Sequence, residues 1–395
     1  MSARLTIRQL PPEAWDQVHD WDATVAAAAA PSVFLTRDWV TAWWRSFRDG
    51  LDPCLFRICS ADGRTVGIAP FYRERLRGTP ARRLGLLGDR GVGSEYLGVV
   101  ARRGYEDEVA TMVMRWLSSP RSQWELADFS GLRDADPTTA RLVSELATGG
   151  AAMRSENHPC AAIALPRDFD EYLAGLNSKF RQRFRQRRNK LLRECDVRFF
   201  RTESPADLPR HLETLFALHQ SRWTEAGRPG AFADPRMRRF YLDVADRLLR
   251  AGRLRFWHLE ADGAIRATQF AFAYDGVLHS LQEGYDGGFA PRGVGGLGVV
   301  LRAHVLDAAI AEGFRSYDFL GGVEDHKLRW GASVHSVRSV QIARPGAAGR
   351  LAWLASAGVL SARESVKRLL PETALDGLRR GRAAYHRRRT RGVPH

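Results

Sequence analysis

The feature that most constrains the fold of this chain is an internal repeat. The segments CLFRICSADGRTVGIAPFYRERL and LRFWHLEADGAIRATQFAFAYDG each contain two alternating apolar runs joined by an Ala-Asp-Gly turn. Asp-Gly between two such runs is a strong hairpin signal. A strand ending in Asp-Phe-x-Gly then follows in both halves, with Asp128 matching Asp318, and an amphipathic helix precedes each of these strands. The repeated order predicts two similar α/β units, each with a mixed sheet.

The repeat also predicts the domain organisation. A chain of 395 residues is usually two domains, and the repeat places them at residues 1–160 and 161–345. Residues 346–395 are expected to form a helical extension followed by a basic, disordered tail.

Three helices are predicted between the two copies of the repeat. Residues 168–195 have a helical pattern, and a second helix is expected to enter through Ser204 and Pro205. The third is expected to have Asp234 as its N-cap and to end before Gly252.

Composition restricts the partners and the compartment. The formal net charge of +15 favours anionic partners such as nucleic acid, phosphorylated cofactors or lipid surfaces, although a general bias toward Arg explains part of it. The four cysteines form neither a CxxC pair nor a Cys/His cluster with metal-ligand spacing, so we expect no metal site. The N-terminus has no apolar signal region, and TVAAAAAPSVFL is too short to span a bilayer. We therefore expect a soluble, cytoplasmic protein.

The stretch FAPRGVGGLGVVLRAHVLDAAIAEG, residues 289–313, places Arg292 and four glycines directly before an amphipathic helix. The first N–H groups of a helix are unpaired and carry the positive end of its dipole, so they can bind a phosphate. Glycines let the backbone approach a ligand closely, and an arginine adds a charge-assisted donor. The P-loop pattern GxxxxGK[ST] is absent. The stretch is either a phosphate site or a turn before a packing helix.

A second charged element lies upstream. Between Lys179 and Arg193 there are eight Lys or Arg in fifteen positions and no acid, with Phe184 and Leu191 on a narrow apolar stripe and Ser178 able to cap the start. This helix is either a solvated basic face or a wall that receives an anion. The anion could be a nucleotide-sugar, a lipid-linked saccharide or a nucleic acid.

The order of meander, Arg/Gly loop, helix and strand resembles the acyl-CoA core of the GNAT acyltransferase superfamily. The Tyr285-Asp286 pair, the loop, the Asp-Phe strand and Lys-x-Arg-Trp-Gly at 327–331 further resemble CelD/BcsL-type proteins. Those are tandem-GNAT proteins related to Fem-type peptidoglycan aminoacyltransferases. The resemblance implies that the loop holds the pyrophosphate of CoA, with Leu297 standing where the family has Gly or Ala. The residues predicted to bind the cofactor are Arg292, Gly293, Val294, Gly295, Gly296, Leu297 and Gly298.

Direct attack of an amine on a thioester needs a base and a stabilised carbonyl oxygen, but no protein nucleophile. Glu283, near the end of the strand before the loop, either faces the cleft as a base or is an exposed strand carboxylate. Asp318 lies in an apolar strand and needs a partner; its repeat equivalent Asp128 favours a shared structural role, such as bonding a loop backbone. The resemblance to Fem-type enzymes implies that Lys327 lies near the reacting carbonyl or an acceptor phosphate. Glu283, Asp318 and Lys327 are thus the candidate catalytic residues.

The sequence also predicts which residues contact the acceptor and which unit holds the cofactor. The residues predicted to contact the acceptor are Lys179, Arg183, Arg187, Tyr285, His326 and Arg329. The first unit has no comparable loop, because its helix begins after Gly104 with the acids Glu106, Asp107 and Glu108, which oppose phosphate binding. A single cofactor site, in the second unit, is therefore expected.

These observations predict an acyltransferase that moves an acetyl or other acyl group from acyl-CoA to an amine of a sugar or cell-envelope precursor. The expected acceptor is an anionic small molecule or saccharide, with peripheral contact to an anionic membrane surface. Two alternatives stay open. One is a Fem-type aminoacyl-tRNA-dependent ligase, which would bind tRNA, and the other is an inactive GNAT-fold module that binds an anionic polymer.

Overall fold

The computed structural model describes residues 5–76, 78–148, 152–225, 230–289 and 295–356. The strands are β1 (Thr6–Leu10), β2 (Leu51–Cys59), β3 (Thr65–Arg75), β4 (Arg82–Leu86), β5 (Val100–Ala101), β6 (Leu126–Arg133), β7 (Met153–Ala164), β8 (Val197–Arg201), β9 (Leu254–Ala261), β10 (Ala264–Tyr274), β11 (Val277–Tyr285), β12 (Ser316–Gly321) and β13 (Ser333–Ala343). The α-helices are α1 (Trp21–Ala26), α2 (Arg37–Phe47), α3 (Glu106–Ser118), α4 (Pro137–Thr148), α5 (Phe169–Gly175), α6 (Ser178–Glu194), α7 (Leu208–Glu225), α8 (Pro235–Arg250), α9 (Leu297–Ala311) and α10 (Asp325–Leu328).

The chain divides into two compact units. The N-terminal unit runs to Ala161 and also includes Leu320–Val323 and residues 334–356. The C-terminal unit comprises Ala162–Phe319 and Glu324–Ser333.

The sheet of the N-terminal unit has the order β1-β2-β3-β4-β6-β13, and β5 pairs with β3. Neighbouring strands are antiparallel except β4 and β6, which are parallel. The β2–β3 hairpin turns at the predicted Asp-Gly, where Gly63 has a φ of +81° that a side chain would oppose. Trp15, Trp21, Trp39 and Trp43 are fully buried in this unit, so large aromatic side chains supply much of its core.

The C-terminal unit repeats this plan. Its sheet has the order β8-β9-β10-β11-β12, antiparallel except for the parallel pair β11 and β12. Each strand thus corresponds to one of β1, β2, β3, β4 and β6, and α9 connects the parallel pair as α3 does in the first unit. The two Ala-Asp-Gly hairpins occupy equivalent places, and the prediction of a repeated α/β unit is confirmed.

The predicted helices form, with two differences at their starts. Residues 168–195 contain α5 and α6, but the N-cap of α6 is Asn177 and not Ser178, because Asn177 Oδ1 accepts from Lys179 N at 3.0 Å. The second helix begins at Leu208, since Ser204 O accepts from Asp207 N at 3.2 Å in a turn that precedes it. Asp234 caps α8 as predicted, with Oδ1 accepting from Arg236 N at 2.9 Å.

The chain continues as a helix over residues 347–356, where Ala352 packs with Ala81 and Leu126 of the N-terminal unit. The predicted basic tail lies beyond this helix and outside the described residues. Within the described ranges, every helix is too short or too polar to span a bilayer.

Candidate active site

The start of α9 is an uncapped helix N-terminus that opens with glycine. Gly296 is the N-cap, with a left-handed φ of +85°, and no side chain caps the helix. Val299 N and Val300 N both donate to Gly296 O, at 3.0 and 3.1 Å. The earlier N–H groups of a helix lack intrahelical acceptors and can bind an anion. Of the predicted cofactor residues, Gly295, Gly296, Leu297 and Gly298 form this start, whereas Arg292, Gly293 and Val294 lie outside the described residues.

Two side chains border these glycines. A Cβ added at Gly296 would lie 3.0 Å from Arg187 Cδ and 3.2 Å from its Nη1. A Cβ added at Gly298 would lie 3.4 Å from Cδ1 of Tyr285 at the end of β11. Arg187 of α6 therefore lies against the positive end of α9, and it has no acidic partner within the described chain. An anion bound here would interact favourably with both the Arg187 guanidinium and the positive end of the α9 dipole.

Helix α6 presents a row of free cations. Lys179, Arg183 and Arg187 are spaced by four residues, so they share one face, and all three are exposed. None of them has an ion pair with another described residue. The adjacent stripe packs, and the rings of Phe180 and Phe184 lie edge-on to buried Trp330, at 5.0 and 6.3 Å between centroids.

Behind the start of α9 lies a buried ion pair that sequence analysis missed. Arg302 of α9 is 5% exposed, and its Nε and Nη2 donate to the two carboxylate oxygens of Glu283 on β11, the first at 3.2 Å. Burial opposes the Arg302 charge, but the Glu283 carboxylate outweighs this and raises the pKa of Arg302. The sequence feature that could have indicated this ion pair is the arginine inside the largely apolar segment LGVVLRAHVL.

Tyr317 of β12 completes this buried cluster. Its hydroxyl accepts from Gln269 Nε2 at 2.6 Å and is hydrogen-bonded to Arg302. Burial, followed by the Glu283 charge, raises the pKa of Tyr317 above its usual range. The cluster therefore holds a carboxylate, a guanidinium and a phenol, with Arg302 bonded to both Glu283 and Tyr317.

Lys327 and His326 lie on the short helix α10, next to this cluster. Lys327 is 9% exposed, and its Nζ lies 3.1 Å from Glu324 Oε2 and 3.4 Å from Phe319 O. His326 is exposed, yet partial burial, followed by the positive charge of Arg302, lowers the pKa of its imidazole. The predicted Arg329 follows at the end of α10 and is exposed.

The aspartates of the two Asp-Phe strands occupy equivalent environments. Asp318 is 5% exposed, and its Oδ2 lies 3.4 Å from Nδ1 of His279 on the neighbouring parallel strand. Asp128 Oδ2 accepts from Arg83 Nε at 2.7 Å, again from the neighbouring parallel strand. In both units the aspartate contacts a basic side chain on the adjacent strand, which supports a structural role for Asp318.

The two parallel strands of the C-terminal unit pair only at their beginnings. Val277–His279 pair with Ser316–Asp318, and an irregularity in the β10–β11 register follows at once, where Phe270 pairs with Gln282 but Ala271 pairs with Ser280. Beyond this point β11 continues to Tyr285. Glu283 lies on this last part of β11, and α9 is the next helix along the chain.

The equivalent helix of the N-terminal unit is unsuited to an anion. Tyr105 is the N-cap of α3, and three acids occupy its first turn. The N–H of Gly104 already donates to Glu106 Oε2 at 2.7 Å. This agrees with the expectation of one cofactor site.

A separate cavity of about 580 Å³ lies along the other side of α6, between α5, α6, α9 and Phe199. Its lining mixes apolar side chains with Arg185, Arg188 and Asp307, and none of the predicted site residues borders it. Within the described residues, no cluster of three or more His, Cys, Asp or Glu side chains is arranged to bind a metal ion.

Residues 178–328 match the family described as an acetyltransferase (GNAT) domain. The matched stretch runs from α6 to α10 and includes the start of α9, the Arg302–Glu283 ion pair and Lys327. Among curated protein sequences, none matches this chain.

Solved structures show the fold over most of the chain. FemX is similar with a TM-score of 0.60 and 10% identity, covering 85% of this chain and 96% of that one. L-PGS from Bacillus licheniformis has a TM-score of 0.52 and 14% identity, covering 89% and 96%. A conserved protein of unknown function from Bacteroides thetaiotaomicron has a TM-score of 0.53 and 10% identity, covering 86% and 100%. The predicted tandem GNAT fold, similar to that of FemX, is confirmed, and the family match of residues 178–328 supports the assignment as an acyltransferase.

The spacing of GVGGLG in the loop also satisfies the dinucleotide-binding pattern GxGxxG. That pattern belongs to an open sheet of mostly parallel strands. Among the described strands of the C-terminal unit, β11 and β12 alone are parallel. The sheet therefore argues against a dinucleotide fold and agrees with the GNAT domain.

Proposed function

We propose that this protein transfers an acetyl or another acyl group from acyl-CoA to an amine of an anionic sugar or cell-envelope precursor. The observation that carries the proposal is the start of α9, where the left-handed Gly296 opens an uncapped helix beneath the unpaired Arg187. A pyrophosphate is the group of CoA that such a site fits.

The residues around this start fit CoA by shape as well as by charge. The bare glycines keep the backbone accessible, because a side chain at Gly296 would fill the gap beneath Arg187. The N–H groups of the first turn and the Arg187 guanidinium would bind the pyrophosphate. Acyl-CoA supplies the thioester, and from the start of α9 its reactive end would follow the edge of β11 toward Glu283, Lys327 and His326.

The proposed acceptor carries a negative charge and an amine. Lys179 and Arg183 extend the cationic row of α6 beyond Arg187, and Arg329 adds a further exposed cation at the end of α10. Unpaired cations in a row attract a phosphate or carboxylate and orient the molecule that carries it. In the transfer, the amine nitrogen bonds to the acyl carbon, the carbon–sulfur bond breaks, and CoA leaves as the thiol after taking up a proton.

The same basic row supports a second candidate, a ligase that takes its acyl group from aminoacyl-tRNA. Eight cations on one helix suit a polyanion as well as a small anion. The two donors differ in what they require of α9, because the pyrophosphate site is specific to CoA.

Calorimetric titration with acetyl-CoA tests the proposal, and the chain offers a matched control. Gly296 and Gly313 lie at opposite ends of α9 with φ values of +85° and +79°. A valine at either position would pay a left-handed backbone cost of about 1–2 kcal/mol. Gly296→Val should weaken acetyl-CoA binding by roughly tenfold or more, the loss of about 1.4 kcal/mol. Gly313→Val should bind like the parent.

Equal effects of the two valines would contradict the cofactor site. A parent protein that ignores acetyl-CoA but binds bulk tRNA with a steep salt dependence would favour the aminoacyl-tRNA ligase instead.

A further inference from the structure

We propose that His326 is the general base of acyl transfer and that Glu283, held by Arg302, is a positioning residue that anchors α9 to β11. The inference rests on the proposed function and adds the residue that takes the proton from the acceptor amine. It follows from which titratable groups of the site still have a lone pair available.

Glu283 is the obvious base by sequence, but its carboxylate is occupied. The guanidinium of Arg302 is buried and reaches both of its oxygens in a forked arrangement. Such a fork engages both carboxylate oxygens, so they face Arg302 and not an incoming amine. Glu283 instead anchors α9 to β11, and this contact sets the position of the helix start.

The other groups of the site are also engaged. Tyr317 is buried and hydrogen-bonded to Gln269, and Asp318 lies inside its strand against His279. Lys327 forms an ion pair with Glu324, and a paired ammonium has no lone pair to offer. Each of these side chains serves the packing or the charge balance of the site.

His326 differs in place and in charge. It precedes Lys327 on α10, and the hydrogen bond from Lys327 Nζ to Phe319 O ties that helix to the end of β12. The groups that face its imidazole are Arg302 from α9, Glu283 from β11, and Glu324 and Lys327 beside it. Burial and the Arg302 charge keep the imidazole neutral at pH 7, and its exposed side is open to an incoming acceptor.

The proton transfers balance without a further reactant. As the amine nitrogen bonds to the acyl carbon, a ring nitrogen of His326 accepts the proton that this nitrogen loses. The carbon–sulfur bond then breaks, and the imidazolium returns its proton to the departing thiolate, directly or through water. The base is thus neutral again at the end of each cycle.

The test measures thiol release from acetyl-CoA as a function of pH, with glucosamine 6-phosphate as an anionic amine probe. The kcat/KM of the parent should fall as pH drops through the pKa of His326, below the usual value of about 6.5. His326→Gln should lower kcat/KM by about 10²–10⁴-fold and remove this acidic limb, leaving only the fall that protonation of the acceptor amine causes. Glu283→Gln should keep the limb. His158→Gln, which changes an exposed histidine of β7 in the N-terminal unit, should behave like the parent.

Two further readouts separate a base from a structural residue. Acetyl-CoA affinity by calorimetry should be the same in His326→Gln and in the parent. Hydroxylamine is a nucleophile that is already largely neutral at pH 7 and needs no base. With hydroxylamine as the acceptor, the His326→Gln variant should therefore recover most of the parent's activity. A His326→Gln enzyme that keeps both rate and acidic limb would overturn the inference while leaving the acyltransferase intact. If the parent neither binds acetyl-CoA nor releases thiol, the proposed function fails and this inference fails with it.

Discussion

The Arg302–Glu283 ion pair should contribute strongly to the stability of the C-terminal unit, and the structure allows its size to be worked out. Only 6% of the Arg302 side chain and 22% of the Glu283 side chain are exposed, so water screens the pair little. Unit charges about 4 Å apart attract by ~4 kcal/mol at an effective dielectric constant of about 20. Removing one partner of a buried pair costs about 3–5 kcal/mol, because the other charge is left alone.

A double-mutant cycle separates the pair from its surroundings. Arg302→Met should destabilise the unit by about 3–5 kcal/mol, and Glu283→Gln by a similar or smaller amount, since each leaves one buried charge unpaired. The double variant leaves neither charge and should cost less than the sum, with a coupling energy of about 2–3 kcal/mol. The Arg302 guanidinium carbon lies 5.4 Å from the centroid of the Phe319 ring. In the Arg302→Met variants, a well-packed methionine side chain would replace part of this contact.

Native-state hydrogen exchange of the α9 amides measures this cycle best. It reports the opening of the C-terminal unit by itself, whereas a global melting curve mixes two units that need not unfold together. Additive single variants, or losses below about 1 kcal/mol, would refute a buried and mutually dependent pair.

Other expectations concern pH, capping and charge. Burial lowers the pKa of His258 to about 2 from 6.5, so the unfolded chain alone takes up its proton as pH falls below 6.5. Between pH 6.5 and 4.5 this should remove about 2.3 kcal/mol of stability from the C-terminal unit, a slope that His258→Gln should flatten in urea titrations. Asp234→Ala should lower the stability of α8 by about 1 kcal/mol because it removes the N-cap. Ser178→Ala should have a far smaller effect because the preceding residue caps α6. Hydrogen exchange of the first-turn amides of both helices would show the contrast. Arg187→Glu should weaken acetyl-CoA binding by about 10–100-fold, the loss of a charged hydrogen bond, while Arg193→Glu at the other end of α6 should have little effect by calorimetry.

The sequence predicted what local patterns determine. The two hairpins followed from Asp-Gly between alternating strands, and the order of elements followed from their recurrence. Asp234 was recognisable as a cap because its partner is two residues away. The start of α9 was recognisable because glycines rarely cluster before a helix without a backbone reason.

The chemistry inside the unit was harder to predict, because it depends on which helix face meets which strand. Arg302 and Glu283 are nineteen residues apart and meet only through the rotational phase of α9 on the sheet. The basic row gave no sign that Arg187, rather than a neighbour, would lie over Gly296. Asp318 was expected to share a role with Asp128, and in both units the aspartate contacts a basic side chain on the adjacent strand.

The internal repeat makes one measurement decisive for the central claim, that acyl-CoA binds at the start of α9. Hydrogen exchange with and without saturating acetyl-CoA compares the start of α9, residues 295–300, with the start of α3, residues 104–109, within one molecule. Exchange should slow at 295–300 and stay unchanged at 104–109, where Glu106 and its acidic neighbours oppose an anion. Protection at the start of α3, or at neither helix while acetyl-CoA is bound, would contradict this claim.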